Sequence, residues 1–355
     1  MFSVNNKFRA IIIVLVITIL IILITFSDIC KCGVERGMLI CANVIIPSLF
    51  PFMVCILIIL NMDITIKNKL ISKIIFKLFG QSVDMFFVMI LSMLGGYPIG
   101  CKLINELYIQ DKINKKDANI MQMYCINAGP AFIISAVGSG VLSSKKIGNI
   151  LFFSHISASI VIALITSKFL CKNCNISTVK KNNYKSFSEI FVKSTADATS
   201  SVISICAFII LFSVINSYLI IFLKDIPILN NVFYFTEITS GITFTKNVVF
   251  ISFLLGFSGM SIWCQIFSIL KNAKPDLKLF ILGRILHGSF SSINTLIIIN
   301  IFKIKINVFS NSLIKQNMIS YNDITLSISL IIMIIVLLIY IYSKNYSRKI
   351  IDDMI

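Results

Sequence analysis

The segment LSMLGGYPIGCKLINEL occupies residues 91–107 and is apolar except at its centre. Residues that interrupt helices crowd that centre: Gly95, Gly96, Pro98 and Gly100. Proline removes a helical backbone hydrogen bond, and glycine lowers helix stability through its greater backbone freedom; the membrane interior offers no water to replace a lost bond. The segment therefore predicts a helix that is broken at membrane depth, where protein, water or a solute must satisfy the freed backbone groups.

The chain as a whole has the composition of a polytopic membrane protein. Of its 355 residues, 57% are hydrophobic and 13% are charged, and the mean hydropathy is +0.94, whereas soluble domains are about one quarter charged. A soluble globule is excluded. The net charge of +17 lies mostly in the connections between apolar segments, as membrane topology favours, so we expect a lipid bilayer and no nucleic acid as partner.

We predict an all-α fold with about eight or nine transmembrane helices, arranged as two related halves with broken or re-entrant helices. The predicted order is an N-terminal anchor helix (1–30), a first half (31–170), a basic linker (171–190), a second half (191–344, ending in the apolar segment 324–342) and a short tail (345–355).

An internal repeat supports the two halves. An offset of 163 residues places LLGFSGMSIWCQIFSIL, residues 254–270, on residues 91–107, and five of the 17 positions are identical. Each half also offers the same predicted order of elements: a long helix, an interfacial or loop segment, a glycine-broken span, a polar-interrupted span and a closing span. Whether the two halves run parallel or inverted is left open by the sequence.

Two further interruptions accompany the first one. Asn127, Gly129 and Pro130 interrupt the next apolar segment, and Ser258 with Gly259 interrupts the second-half counterpart of residues 91–107. Paired interruptions at equivalent places in two halves indicate the binding site of a transporter, because broken helices leave polar backbone and helix ends near the bilayer midplane. The alternative is that these small residues only allow helices to pack closely.

Several polar residues are candidates for a solute pathway. Lys102 follows the first break and either contacts solute or snorkels and pairs with Glu106. Gln265 occupies the position equivalent to Lys102 in the repeat. Arg284 offers a planar guanidinium in a lysine-rich chain. Tyr97 completes the candidate pathway, together with Gly95, Gly96, Pro98, Asn127, Gly129, Pro130, Ser258 and Gly259.

Two titratable residues are candidates for ion coupling. Glu237 precedes an apolar segment and is interpreted either as a proton or sodium site or as an interfacial carboxylate paired with lysine. His287 lies close to one helical turn after Arg284 and can share its face. His155 is alone on an apolar helix, where a packing or hydrogen-bonding role is favoured.

The motifs of enzyme and metal sites are not found in the sequence. It has two histidines, no HExxH pair and no phosphate-binding G-x-x-x-x-G-K-S/T loop. We therefore expect no enzymatic activity, no cofactor and no metal, and any pumping would be coupled to an ion gradient or driven by a partner.

Several motifs resemble one family of membrane proteins. The first half contains PSLFPF at residues 47–52, GGYPIGCK at residues 95–102 and NAGPAF at residues 127–132; the second half contains Glu237-x-x-x-Gly241, Ser258-Gly259, Gln265 and Arg284-x-x-His287-Gly288. Together they are similar to the sporulation integral membrane proteins with paired nucleoside-recognition "gate" domains. Gly95 stands where the family pattern leads us to expect serine.

This resemblance implies a multi-pass protein of the outer forespore membrane that moves dipicolinic acid during endospore formation. Dipicolinate is a small planar dianion, and Lys102 and Arg284 would suit it. A nucleoside-type solute and a non-transporting scaffold for spore assembly are the alternatives. As protein partners we expect further copies of this chain or other sporulation membrane proteins.

Overall fold

The chain is helical nearly throughout the part that the structure describes. The computed structural model describes residues 6–62, 69–166, 169, 186–223, 232–245 and 247–303. Its α-helices are α1 (Asn6–Thr25), α2 (Ser27–Ile40), α3 (Ile46–Asn61), α4 (Lys69–Phe79), α5 (Val83–Gly95), α6 (Tyr97–Ile109), α7 (Lys115–Tyr124), α8 (Lys145–Thr166), α9 (Phe187–Leu223), α10 (Phe233–Thr236), α11 (Ile238–Phe244), α12 (Val248–Phe257), α13 (Gly259–Ile269) and α14 (Leu277–Ile301). Two further segments, Cys41–Ile45 and Ala131–Val141, are π-helical, and the described residues contain no β-strand.

The lengths of these helices confirm an all-α polytopic membrane protein. Within the described residues, five helical stretches are long and apolar enough to cross a membrane, and a bent pair raises the number to six. The pair joins residues 72–79 of α4 to α5 at an angle of 75°. The predicted last helix, residues 324–342, the tail and most of the linker lie outside the described residues.

Polar side chains begin several of the helices. Ser82, Asn114 and Asp276 accept backbone hydrogen bonds from the first turns of α5, α7 and α14, and Asn247 does the same for α12. Such caps satisfy N–H groups that have no partner inside the helix. They fix where each helix starts and thereby where the intervening breaks fall.

The internal repeat extends well beyond the glycine-broken segment. At the same offset of 163 residues, α2 and α3 fall on α9, α4 on α10 and α11, α5 on α12, and α6 on α13. Gly96 and Gly259 occupy equivalent positions, and both have a positive φ, of 80° and 64°. This backbone conformation is open to glycine without strain, which explains why both halves carry glycine there.

The long helices of the two halves run in opposite directions. A Cβ atom on Gly33 would lie 2.7 Å from the Val214 Cα, and one on Gly37 would lie 2.8 Å from the Ile210 Cα. Rising numbers on α2 thus meet falling numbers on α9, and the Gly-x-x-x-Gly spacing lets the two backbones approach closely. For this pair of helices the repeat is therefore inverted.

One element differs from the predicted order. The first half is interrupted between α7 and the π-helical segment, but its counterpart α14 is continuous from Leu277 to Ile301. The prediction of a polar-interrupted span in the second half was wrong, because the position equivalent to Pro130 is Ile293 and no proline breaks the helix there. The second half is instead interrupted at Glu237, between α10 and α11.

Candidate functional site

Four helix breaks meet in pairs near the centre of the described chain. The break at Gly96 lies against the break at residues 125–130, since a Cβ on Gly96 would be 3.4 Å from the Gly129 N atom. The break at Ser258 lies against the break at Glu237, since a Cβ on Gly259 would be 3.4 Å from the Ile238 N atom. Each half thus brings two interruptions into contact, in agreement with the breaks predicted at Gly96, at Asn127–Pro130 and at Ser258–Gly259.

The G-Y-P-x-G motif holds α6 against the neighbouring break. A Cβ on Gly100 would lie 1.9 Å from the Cys125 carbonyl oxygen, so only glycine fits there. The Tyr97 hydroxyl donates a hydrogen bond of 2.8 Å to the carbonyl oxygen of Leu255 in α12. The same motif therefore packs inside its own half and binds backbone in the other half.

Side chains satisfy the unwound backbone at residues 125–130. The Ala128 N–H donates to His155 Nε2 (2.9 Å), and Ser159 Oγ donates to the Tyr124 carbonyl (2.6 Å). The Asn127 amide donates to the same carbonyl and to Ser92 Oγ. We expected a passing solute, water or protein to satisfy this backbone; at this break the protein itself does so.

Arg284 binds the carbonyl ends of the broken helices. Its guanidinium donates to the carbonyl oxygens of Gln122 (3.1 Å), Met123 (2.6 Å), Ile126 (2.6 Å) and, more distantly, Gly256 (3.5 Å). The side chain is 0% exposed. A cation is favourable at the negative C-terminal end of a helix, and the forked geometry of arginine allows one side chain to reach carbonyls from both halves.

The two histidines of the chain lie against each other. The His155 and His287 rings stack with their centroids 4.3 Å apart, and both side chains are fully buried. His287 Nε2 lies 3.1 Å from the His155 carbonyl oxygen. The predicted hydrogen-bonding role of His155 is confirmed, and His287 contributes to the same contact between α8 and α14.

Glu237 organises the break between α10 and α11. Its Oε1 accepts hydrogen bonds from the Thr239 N–H (2.9 Å) and from the Thr239 hydroxyl (2.7 Å). The residue is 1% exposed. The Glu237 side chain therefore caps the start of α11, where the N–H groups of the first turn have no partner inside the helix.

A cavity lies where residues from three of the four breaks meet the first two turns of α13. Its volume is about 40 Å³, room for about three water molecules. Its lining consists of Ile45, Leu49, Gly96, Tyr97, Pro98, Gly129, Phe132, Ile205, Ile209, Glu237, Ile238, Thr239, Ser261, Ile262 and Gln265. The wall is mainly apolar, and its polar side chains are concentrated on α11 and α13.

The structure brings some of the predicted site residues to this cavity. Those that line it are Gly96, Tyr97, Pro98, Gly129, Glu237 and Gln265. The others lie outside its lining: Gly95, Lys102, Asn127, Pro130, Ser258, Gly259, Arg284 and His287. The glycine-broken segments thus contribute most of the predicted lining, whereas the two predicted cations do not reach it.

Lys102 has a different partner from the one that its sequence neighbours suggest. Its Nζ forms an ion pair with Asp197 Oδ2 at 2.9 Å, and the two side chains are 30% and 33% exposed. Asp197 lies on α9, so the pair joins α6 of the first half to the long helix of the second half. The predicted alternative, pairing with Glu106 one turn away, is not the ion pair found.

Sequence reasoning missed Ser261 and Thr239 as lining residues. Ser261 lies four residues before Gln265, and this spacing places both side chains on one face of α13. This spacing could have identified Ser261 from the sequence. The place of Thr239 in the cavity wall follows from the helix break at Glu237, and the segment 234–240 contains no glycine or proline that would predict this break.

The chain is similar to a protein of known cellular context. It is 23% identical over 300 residues to the sporulation integral membrane protein YlbJ of Bacillus subtilis (strain 168), an alignment that covers 71% of this chain and 73% of that protein. No protein-family model matches the chain, and no solved structure matches it. The chain therefore has a homologue that is an integral membrane protein of sporulation.

Proposed function

We propose that the chain is a membrane transporter that moves a small organic anion, dipicolinate, during endospore formation. The observation that carries the proposal is the convergence of helix breaks from both halves on one cavity. Interrupted helices meeting at a repeat interface are the usual construction of a transporter's binding site. The antiparallel course of α2 and α9 agrees with an inverted repeat.

The electrostatics of the cavity support an anion. Residues at the first turns of α6, α13 and the π-helical segment line it. The N-terminal end of a helix carries a partial positive charge of about half a unit and is a common site for carboxylates and phosphates. Several such ends around a small apolar space favour an anion without a lysine or arginine in the wall, and the proton or sodium ion that we propose for Glu237 would offset the negative charge of that residue.

The sporulation context supports dipicolinate as that anion. The relative from Bacillus subtilis is a sporulation integral membrane protein, and the motifs GGYPIGCK and NAGPAF resemble the gate-domain family. By that resemblance the chain acts in the outer forespore membrane. Its proposed protein partners are further copies of the same chain or other sporulation membrane proteins.

The size of the cavity implies a conformational change in this transport. A space of about 40 Å³ holds a few water molecules and is too small for an aromatic dicarboxylate. Passage therefore needs the two halves to move apart on one side and then on the other, as in alternating access. We propose Glu237, which lines the cavity, as the group that couples this motion to a proton or sodium ion.

A nucleoside-type solute is the second candidate. A neutral nucleoside requires amides, hydroxyls and carboxylates, and the cavity offers Gln265, Ser261 and Glu237. Lys102 and Arg284, the cations expected to bind an anion, are engaged with Asp197 and with backbone carbonyls instead. Both solutes therefore belong in the same assay.

Flux into liposomes tests the proposal. The purified full chain is reconstituted, and uptake of labelled dipicolinate and of labelled uridine is measured with and without proton and sodium gradients. We expect saturable dipicolinate uptake that uridine does not compete. Saturable uridine uptake alone would favour the nucleoside carrier, and no uptake of either, together with a stable complex of spore proteins, would favour the scaffold.

A cellular measurement complements the liposome assay. Spores that lack the protein are expected to contain little dipicolinate when the mother cell makes it. If the protein acts in transport rather than in synthesis, dipicolinate accumulates on the mother-cell side. Normal spore dipicolinate would contradict the proposed substrate.

A further inference from the structure

Two side chains of α13 stand out among the polar groups of the cavity. Ser261 is 1% exposed and Gln265 is 6% exposed, and both line the cavity. The Ser261 Oγ and the Gln265 Nε2 have no hydrogen-bond partner among the described residues. Buried polar atoms are rarely left in that state, and unpaired donors in the wall of a cavity are available to a molecule that enters it.

The geometry of α13 makes these two groups a single feature. Positions four residues apart lie on one face of an α-helix, about 6 Å apart along its axis at 1.5 Å per residue. The pair lies in the first two turns after the break at Ser258. Ser261 lies in the first turn of α13, where the helix dipole adds positive potential, and Gln265 follows about one turn later.

We infer that Ser261 and Gln265 form the subsite that binds a carboxylate group of the transported solute. A carboxylate has two oxygens that accept several hydrogen bonds, so it can satisfy the hydroxyl and the amide together. The inference rests on the proposed function, and it assigns the recognition of the solute to neutral donors and a helix end instead of to the two predicted cations.

The neighbouring charged side chains all have partners outside α13. Arg284 donates to backbone carbonyls outside the cavity, and Lys102 pairs with Asp197, so neither is required for binding. The Glu237 carboxylate is held by the N–H and hydroxyl of Thr239 at the start of α11. Glu237 also lines the cavity, but Thr239 engages its Oε1, whereas the unpaired donors Ser261 Oγ and Gln265 Nε2 lie on α13.

The repeat makes this subsite specific to the second half. At the offset of 163 residues, Ser261 corresponds to Pro98 and Gln265 to Lys102. Proline has no donor on its backbone or side chain, and Lys102 is occupied by Asp197. One half therefore binds the carboxylate, and the other contributes mainly apolar surface from Tyr97 and Pro98.

Binding can be measured separately from transport because the single tryptophan of the chain, Trp263, lies on α13 two residues from each donor, with its indole packed against Phe257 and Phe280. The full chain in detergent is titrated with dipicolinate, with picolinate, which has one carboxylate, and with uridine, while Trp263 fluorescence is followed. We expect both carboxylates to change the fluorescence in a saturable way and uridine to leave it unchanged.

Variants test the two donors directly. Gln265→Leu should weaken dipicolinate binding and raise the KM of its uptake by about tenfold to a hundredfold, the effect of losing a hydrogen bond to a charged group. Gln265→Glu has nearly the same size but places a negative charge in the subsite and should remove binding. Ser261→Ala should weaken binding, and Ser261→Thr, which keeps the hydroxyl, should restore most of it.

Gln81→Leu is the matched control. Gln81 is 1% exposed and its amide also has no partner among the described residues, but it does not line the cavity. Its replacement should leave the dipicolinate affinity unchanged. If Gln265→Leu binds dipicolinate as tightly as Gln81→Leu and the unaltered chain do, the proposed subsite is wrong. This conclusion does not depend on whether the chain transports dipicolinate.

The remaining outcomes separate the subsite from the proposed function. Saturable carboxylate binding that depends on Gln265, without any uptake into liposomes, would support the subsite and contradict the transporter. Binding and uptake of uridine without dipicolinate would overturn the subsite. Binding of neither solute by a folded chain would overturn both.

Discussion

Arg284 illustrates how the role of one residue depends on what surrounds it. The sequence offers a rare cation in an apolar segment, which is by default a functional candidate at membrane depth. In the fold its guanidinium binds the carbonyl oxygens of Met123 and Ile126 and reaches toward Gly256. The residue thus stabilises the breaks that form the cavity, and it does so across the two halves.

This role predicts that Arg284→Lys destabilises the protein. An ammonium group cannot reach the carbonyls that the guanidinium fork binds, and each buried carbonyl left unsatisfied costs about 1–3 kcal/mol. We expect a lower midpoint of thermal unfolding in detergent and a lower yield. Arg36→Lys, at an exposed position of α2, is the control; equal midpoints for the two variants would refute the capping role.

At the scale of elements, interruptions marked by glycine or proline were predictable. The breaks at Gly96, at residues 125–130 and at Ser258 follow from residue types that regular helices disfavour. The break at Glu237 was not predicted, because it depends on a side-chain hydrogen bond to the Thr239 N–H and not on a helix-breaking residue. The continuity of α14 was likewise missed, since the repeat suggested an interruption that its sequence does not enforce.

The ion pair between α6 and α9 belongs to the same scale. Lys102 and Asp197 are about one third exposed, and such pairs contribute about 0–1 kcal/mol to stability. Because the pair joins helices of the two halves, we expect it to affect their relative motion more than folding. We predict that Lys102→Ala and Asp197→Asn each reduce dipicolinate uptake severalfold while membrane insertion and thermal stability stay unchanged.

A double variant in which the two charged residues exchange places tests this contact more strictly. Lys102→Asp combined with Asp197→Lys should recover part of the uptake, since the attraction between α6 and α9 is restored. Lys31→Ala, which removes another exposed ion pair within α2, should have no effect. Full uptake in Lys102→Ala would reduce Lys102 to an anchoring residue.

At the scale of the whole molecule, the sequence predicted an all-helical membrane protein with an internal repeat, and the fold agrees. The sequence did not predict whether the repeated helices run parallel or antiparallel, because a sequence repeat says nothing about how its two copies are oriented in space. The contacts of Gly33 and Gly37 with α9 show that α2 and α9 are antiparallel. The composition of the cavity wall was only partly predictable from the sequence. Lys102 and Gln265 are equivalent in the repeat, yet only Gln265 lines the cavity.

The central claim is that this cavity opens to water and holds a solute, and cysteine labelling in native membranes tests it most directly. In a chain whose other cysteines are replaced, we predict that Ile262→Cys, at a position that lines the cavity beside the two donors, reacts with a small membrane-impermeant thiol reagent and that dipicolinate slows the reaction. Ser252→Cys, in a buried cluster with Ser291 and Thr295 outside the cavity lining, should stay unreactive. An unreactive Ile262→Cys, or a reaction rate that dipicolinate leaves unchanged, would contradict the account.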